Sequence, residues 1–400
     1  MVDIIRRPHL CADWVHNDAR QIVKTLKGRG FETYLVGGCV RDLLAEIHPK
    51  DFDIATAASP QQVKRAIYNS YIIGRRFRLV LAKRGVDQYE ISTFRRSPTI
   101  EDLQNEDISG DNFFGTAEED AVRRDFTING LFYDPVEDKL TDYVGGGRDI
   151  DLRLVRMIGE PEVRLREDPI RILRAIRLAA KLRFDIDPHL RQAMVSEAEH
   201  LVSSVLPRKR EEYLKVLRLS DPIPALFEMK DLGILKFCLP ELDTLFDSSE
   251  LTARFGWLMR QSRQFVGDDC SPTELFAFFL TAYIHAGQAD HEGHEEFQKA
   301  FHQEANITFL KQGLGLFQTE IRLIAAALEI VPNLKDAGGF SRKGLRRQAA
   351  FLSHESLPLA LVLARMLHEI SGEEATYWEL QLSNHKTFAT APKQAVKEGF

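Results

Sequence analysis

Apolar positions before residue 150 recur in short runs, broken by glycine and by helical stretches. Tyr34–Val36, 71–73, 77–83, 87–94, 126–133 and 139–143 read as strands, with turns at Gly74 and Gly85. Residues 18–28 and 60–67 read as helices, with Asn17 and Ser59 as N-caps and Pro60 in the first turn. After Gly145-Gly146-Gly147 the period changes to helical. Residues 168–182, 189–200, 208–219, 250–262, 272–284, 291–303, 318–330 and 341–352 all fit amphipathic helices. The pattern predicts a mixed α/β head over 1–150 and a helical body over 241–400, with helical residues 151–240 linking them.

The turn after Tyr34–Val36 changes this picture from architecture to chemistry. Residues 35–42 read Leu-Val-Gly-Gly-Cys-Val-Arg-Asp, and Asp51-Phe52-Asp53 follow after eight positions. A strand running through Gly37 and Gly38 into a helix lets backbone N–H groups approach phosphate. Arg41 lies one turn on. Asp51 and Asp53 are expected to alternate on one strand continuing to Thr56, both carboxylates facing the same side. Two carboxylates beside a phosphate cradle can hold Mg²⁺. Either motif alone is more often a plain turn or a solvated loop edge; their order, strand, turn, helix, strand, favours metal-assisted chemistry on a nucleoside triphosphate.

Charge refines the reading. The formal net charge is −6, so no global basic coat exists. Residues 151–220 nonetheless carry 15 Lys and Arg against 11 Asp and Glu, a local surplus suited to phosphates and shared by many solvated helices. Residues 96–120 hold eight acidic side chains and one basic one and read as a loop. Cys11, Cys39, Cys238 and Cys270 lack metal-ligand spacing and suggest reduced thiols. Without a long apolar run or a visible signal peptide, the expectation is a cytoplasmic protein with no membrane partner.

Further motifs follow the same order along the chain. Glu90 lies in the strand Gln88–Phe94. Arg123-Arg124-Asp125 precedes a strand. Asp168, Arg171 and Arg174, spaced by three, share a helix face. That face can read a base edge or form an internal salt-bridge ladder. His285, His291 and His294 sit among acidic residues; a solvated turn entering a helix is preferred to a metal site. His9, His16, His48 and His189 read as surface or interface residues.

Taken together, Leu35–Asp42, Asp51–Asp53, Glu90–Arg95, Arg123–Asn129 and Glu167–Arg174 make the chain resemble the class II nucleotidyltransferases of the polymerase-β-like superfamily. That family contains bacterial poly(A) polymerases and tRNA CCA-adding enzymes. The resemblance covers roughly residues 30–240. It gives the helical parts the names neck, over 151–240, and body and tail, over 241–400. It implies Mg²⁺-dependent transfer of a nucleoside monophosphate to an RNA 3′ hydroxyl. It implies that Asp51 and Asp53 hold two Mg²⁺ ions, with Glu90 as third carboxylate and Asp125 as a further carboxylate or ribose contact. Gly37, Gly38, Arg41 and Arg123 would meet the nucleotide, and Asp168 and Arg171, supported by Arg174, would read its base.

The run Gly74–Leu79 resembles the poly(A) branch, so ATP is the expected substrate and mRNA or other RNA 3′ ends the expected partner. CCA addition to tRNA is the alternative. Against the poly(A) reading, residues 381–400 carry only Lys386, Lys393 and Lys397 as Lys or Arg. An RNA-binding protein without catalysis and a small-molecule nucleotidyltransferase are the remaining readings; the carboxylates oppose the first and the long helical body opposes the second.

Overall fold

The computed structural model describes residues 3–5, 12–74, 78–99, 102, 113–267, 269–287 and 294–390. Two compact units are present, Met1–Glu197 and Ala198–Phe400.

The first unit is built on an eight-stranded sheet. Its strands are β1 (Asp3–Ile5), β2 (Thr33–Val36), β3 (Asp53–Thr56), β4 (Ser70–Ile73), β5 (Leu79–Arg84), β6 (Asp87–Thr93), β7 (Leu131–Asp134) and β8 (Lys139–Asp142), in the order β1-β8-β7-β2-β3-β6-β5-β4. β3 and β6 are parallel; the other pairs are antiparallel. Helix α1 (Asn17–Gly28) buries Ala19, Ile22, Val23 and Leu26, the three-and-four spacing of one apolar face. Helix α2 (Gly38–Leu44) leaves β2 directly through Gly37. Helix α3 (Pro60–Ala66) starts with a capping box between Ser59 and Gln62. On the sheet, Val36, Ala55, Phe94 and Phe132 form a core cluster with Ala117 and Ala121 of α4 (Ala117–Val122).

The first unit continues past the expected change of period at 150. Helix α5 (Gly146–Asp151) leads to β9 (Leu154–Val155), which pairs in parallel with β10 (Asp185–Ile186). Between those two strands lie α6 (Pro161–Glu167) and α7 (Ile170–Leu182); α8 (Pro188–Ser196) follows.

Three of the differences from the sequence reading lie at the motifs. Asp51 is not on a strand with Asp53. β3 begins at Asp53 because its last partner is Val36, and the neighbouring chain then turns into α2. The expected strand 126–133 begins at Leu131, after a 3-10 turn at Thr127–Asn129. There the Asn129 backbone N–H bonds the Phe126 carbonyl instead of a neighbouring strand, and its side-chain amide donates to Asp125. The expected helix 168–182 is preceded by a separate one, and Asp168 is the break, at φ −150°.

The second unit is helical throughout its described residues. Helices Ser249–Arg263 and Pro272–Gly287 pack together, as do Gln318–Leu334 and Leu357–Met366. Phe276, Phe278, Phe279 and Trp378 are fully buried there. Arg210 pairs with Glu320 at 2.5 Å and lies over the rings of Phe276 and Phe317. His285 and His294 are buried, not part of a solvated turn: His285 meets the Phe297 ring edge-on and His294 Nε2 bonds the Leu328 carbonyl. His291 lies outside the described residues, as do His9, Cys11, Arg75–Phe77, residues 100, 101 and 103–112 of the acidic loop, and residues 391–400. Cys39, Cys238 and Cys270 are free thiols.

Candidate active site

β3 and β6 place three carboxylates at one end of the sheet. Ile54 pairs with Ile91, so Asp53 and Glu90, one position earlier on each parallel strand, stand side by side on the same face. Asp51 sits in the loop two residues before Asp53. All three line a cleft of about 540 Å³ with His16, Lys50 and Leu81. The Asp53 carboxyl is pushed up to about 6, first by desolvation and then by the negative charge of Glu90; Arg124 pulls it down and Asp51 adds a smaller push. Asp53 keeps surface exposure but is closely surrounded by the chain, so desolvation and its acidic neighbours act on it together. Oxygen donors carrying uncompensated negative charge fit a hard divalent cation such as Mg²⁺. A different group of ligand-type side chains, Glu160, Glu162 and His189, also lies together, within 4.8 Å. It is outside the cleft, and a 3.2 Å pairing of His189 with Glu162 accounts for part of it.

The glycine turn borders this cleft through Arg124. Gly37 has φ +70°, and a Cβ built on it would lie 3.0 Å from Arg124 Nη1. The position therefore needs glycine both for its backbone and for the approach of that guanidinium. Gly38 opens α2, and a Cβ there would meet Arg41 Nη2 at 3.6 Å. Arg41 itself is buried. It donates from Nε and Nη2 to Asp42 Oδ1, at 2.9 and 2.7 Å, and from Nη1 to Asn129 Oδ1 at 2.7 Å. In this structure Arg41 braces the turn from within.

From Asn129 the polar contacts run on to the base-reading candidates. Asn129 Nδ2 donates to Asp125 Oδ1 at 3.0 Å, and Arg174 of α7 grips Asp125 Oδ2 from Nε at 2.7 Å and Nη2 at 2.5 Å. Burial alone would raise the Asp125 carboxyl. Arg174, Asn129 and the Phe126 N–H outweigh it and hold the group below the usual carboxylate range. Arg123 and Arg124 share the buried Asp120, at 2.5 and 2.8 Å. Arg164 Nη2 caps the carbonyls of Arg123 and Arg124 at 2.8 and 2.9 Å. Arg171 donates to the Arg164 carbonyl at 2.6 Å and lies 3.2 Å from Glu167. Thus Arg123, Asp125, Asp168, Arg171 and Arg174 gather where α6 meets α7, beside the Arg123–Asp125 segment. The ladder reading of that face is visible in Arg171–Glu167, but Arg174 reaches across to Asp125 instead.

Three contributors were not read from sequence. Asp120 organises both arginines of the Arg-Arg-Asp motif; its spacing of three and four to Arg123 and Arg124 is the signal that could have found it. Asn129 joins Arg41 to Asp125, and nothing in its local sequence marks it. His16, read as a surface or interface residue, lines the cleft, with Nδ1 3.2 Å from the Tyr89 hydroxyl and its ring 4.7 Å from Phe52.

This sheet, its carboxylate pair and the glycine turn define the first unit as a nucleotidyltransferase head, followed by a mostly helical remainder. Comparison with known proteins carries the assignment further. Residues 33–156 match the Poly A polymerase head domain, and residues 183–246 match the family described as "Probable RNA and SrmB- binding site of polymerase A". These two segments match the head and RNA-binding domains of the poly A polymerase family.

The chain's relatives divide between two activities. It is 39% identical over 240 residues to Poly(A) polymerase I of Salmonella typhi, covering 58% of this chain and 52% of that protein. It is 37% identical over 198 residues to the CCA-adding enzyme of Lactobacillus helveticus, covering 50% of this chain and 49% of that one. The chain spans about half the length of the curated relatives it matches. Among solved structures it resembles the Bacillus stearothermophilus CCA-adding enzyme in complex with CTP, with a TM-score of 0.61 and 26% identity over 92% of this chain and 82% of that one. The Thermotoga maritima CCA-adding enzyme complexed with tRNA shares the fold, with a TM-score of 0.57 at 21% identity over 96% of this chain and 86% of that one. Among the described residues no helix is long and apolar enough to cross a membrane.

Proposed function

We propose that this chain is a template-independent RNA nucleotidyltransferase of the poly(A) polymerase type. It transfers AMP from ATP to RNA 3′ ends and releases pyrophosphate. The observation that carries the reading is the Asp51, Asp53 and Glu90 cleft beside the Gly37 turn, with Asp53 raised by desolvation and then by Glu90. Asp51 and Asp53 would hold Mg²⁺, which would supply charge neutralisation at the triphosphate and acidify the attacking 3′ hydroxyl. Glu90 would add negative charge beside that pair. Gly37 and Gly38 offer backbone N–H groups to phosphate, and Arg41 fixes their turn while remaining the candidate phosphate contact of α2. Arg123 would meet the nucleotide. Asp125 holds Arg174, and Asp168 with Arg171 would present donor and acceptor groups to the adenine edge.

The three-part division, a head to 150, a neck to 240 and a body beyond, is retained as a functional description. The neck and body would hold RNA through phosphate contacts, and a cytoplasmic location follows from such substrates. Relatives 37–42% identical and named Poly(A) polymerase I support ATP as the nucleotide.

CCA addition to tRNA is the second reading, favoured by the likeness to CCA-adding structures across most of the chain. Incubating the protein with oligoadenylate and with a tRNA lacking its 3′ end, with ATP alone or all four nucleotides, separates the two by product sequence.

A further inference from the structure

The sheet face that carries Asp53 and Glu90 does not end at those strands. Glu90 is opposite Leu81 on β5, and Leu81 is opposite Tyr71 on β4. Directly paired residues share a face, so Asp53, Glu90, Leu81 and Tyr71 form one row across four strands. β4 is the edge of the sheet, and Tyr71 is 53% exposed there. Its hydroxyl donates to Asn69 Oδ1 at 3.0 Å, and Asn69 Nδ2 donates to the Lys83 carbonyl at 3.5 Å. The ring is therefore held in place without being covered. Lys83, exposed and two positions beyond Leu81 and so on the same face of β5, makes no ion pair among the described residues.

We infer that Tyr71 and Lys83 form a stacking platform for the RNA strand whose 3′ end is presented to the Asp53 and Glu90 cleft. This rests on the nucleotidyltransferase reading and adds to it the path of the primer. An exposed, oriented aromatic ring beside an unpaired cation is the pairing that single-stranded nucleic acids use: the ring takes a base face and the ammonium a phosphate. Position agrees. Two strand spacings of about 4.8 Å put Tyr71 roughly 10 Å from Glu90. Stacked nucleotides advance about 3.4 Å each, so the ring meets the third or fourth base from the 3′ end. Stacking accepts any base, which suits an enzyme extending varied ends. Leu81 fills the row between ring and carboxylates with an apolar floor.

The probe is a twelve-nucleotide oligoadenylate with 2-aminopurine third from its 3′ end, bound to the full chain without Mg²⁺ or nucleotide. Stacking on Tyr71 quenches the probe. Tyr71→Ala is expected to abolish the quench and weaken binding roughly tenfold, within the usual range for one base–aromatic stack. Tyr71→Trp keeps both. Lys83→Ala keeps the quench, weakens binding and lowers the salt slope by about one. In steady state, Tyr71→Ala raises the KM for RNA and leaves the KM for ATP and kcat at saturating RNA unchanged. Wild-type affinity and quench in Tyr71→Ala overturn the platform while leaving the proposed function standing. A wild-type chain that quenches the probe but transfers no nucleotide does the reverse. Absence of RNA binding by the wild type overturns both.

Discussion

Arg174 Nη2 lies 2.5 Å from Asp125 Oδ2, and through that contact helix α7 is tied to the Arg123–Asp125 segment. The same carboxylate receives Asn129, which holds Arg41, which braces the glycine turn. Helix α7, proposed to read the base, and the Gly37 turn, proposed to meet phosphate, are thereby joined by consecutive polar contacts, although Gly37 and Arg174 lie 137 positions apart.

Removing Arg174 strands a buried carboxylate. Arg174→Ala is expected to destabilise the protein by about 2–3 kcal/mol, below the 3–5 typical of fully buried pairs because its side chain is a third exposed. The sign with pH follows from a folded-state pKa held below the unfolded one. The stabilisation is present above the ordinary Asp value of about 3.9 and is lost as pH falls through the folded value. Acid unfolding of Arg174→Ala should therefore begin at a higher pH than in the wild type. Coincident acid transitions would contradict the role given to this pair.

Asp53 should behave in the opposite sense. Its folded pKa, about 6, lies above the unfolded value, so the folded state binds more protons. Stability falls as pH rises between those two values, and the penalty is complete by pH 7. Asp53→Asn should then raise the melting temperature at pH 7 in metal-free buffer and leave it nearly unchanged at pH 4. Mg²⁺ should stabilise the wild type and not the variant. Nucleotide transfer should fall by about a thousandfold or more, the scale of a lost electrostatic contact in a transition state. Thermal melts at both pH values with and without Mg²⁺ check the first two statements. A variant retaining a tenth of wild-type activity contradicts the third.

Gly37→Ala tests the turn. The φ of +70° costs an L-residue roughly 1–2 kcal/mol, and the new Cβ presses on Arg124 Nη1. A drop in melting temperature should accompany a raised KM for ATP, because the turn and Arg124 shift together. A lowered melting temperature with an unchanged KM for ATP would confine Gly37 to folding.

Arg171→Ala addresses base choice. Loss of one base contact should reduce ATP-over-CTP preference by about tenfold or more, given roughly 1–3 kcal/mol per contact. The Arg171–Glu167 pair and the bond to the Arg164 carbonyl also predict some loss of stability. Unchanged selectivity with a lower melting temperature would assign Arg171 to the ladder alone.

The sequence made the head legible where local rules are strong. The Ser59-Pro60 helix start, the Gly37 turn and the strands ending at Ile73 and Thr93 follow from capping, glycine and alternation. The pairing of Asp53 with Glu90 did not follow from spacing: it depends on a parallel register between β3 and β6, which is a tertiary property. Asp51 was misplaced onto a strand for the same reason, since β3 starts only where Val36 provides a partner. Asn129 was invisible because its importance lies in bridging two distant charged groups. His294 was misread because acidic neighbours in sequence suggested solvent, whereas its own side chain turns inward to Leu328.

The most direct measurement is product sequencing after incubation with oligoadenylate and with a tRNA lacking its 3′ end, all four nucleotides and Mg²⁺ present. Extensions of many residues, nearly all A, on both primers are the predicted result, weakening steeply as salt rises because phosphate contacts hold the RNA. Ordered addition of C, C and A to tRNA alone, stopping there, would contradict it.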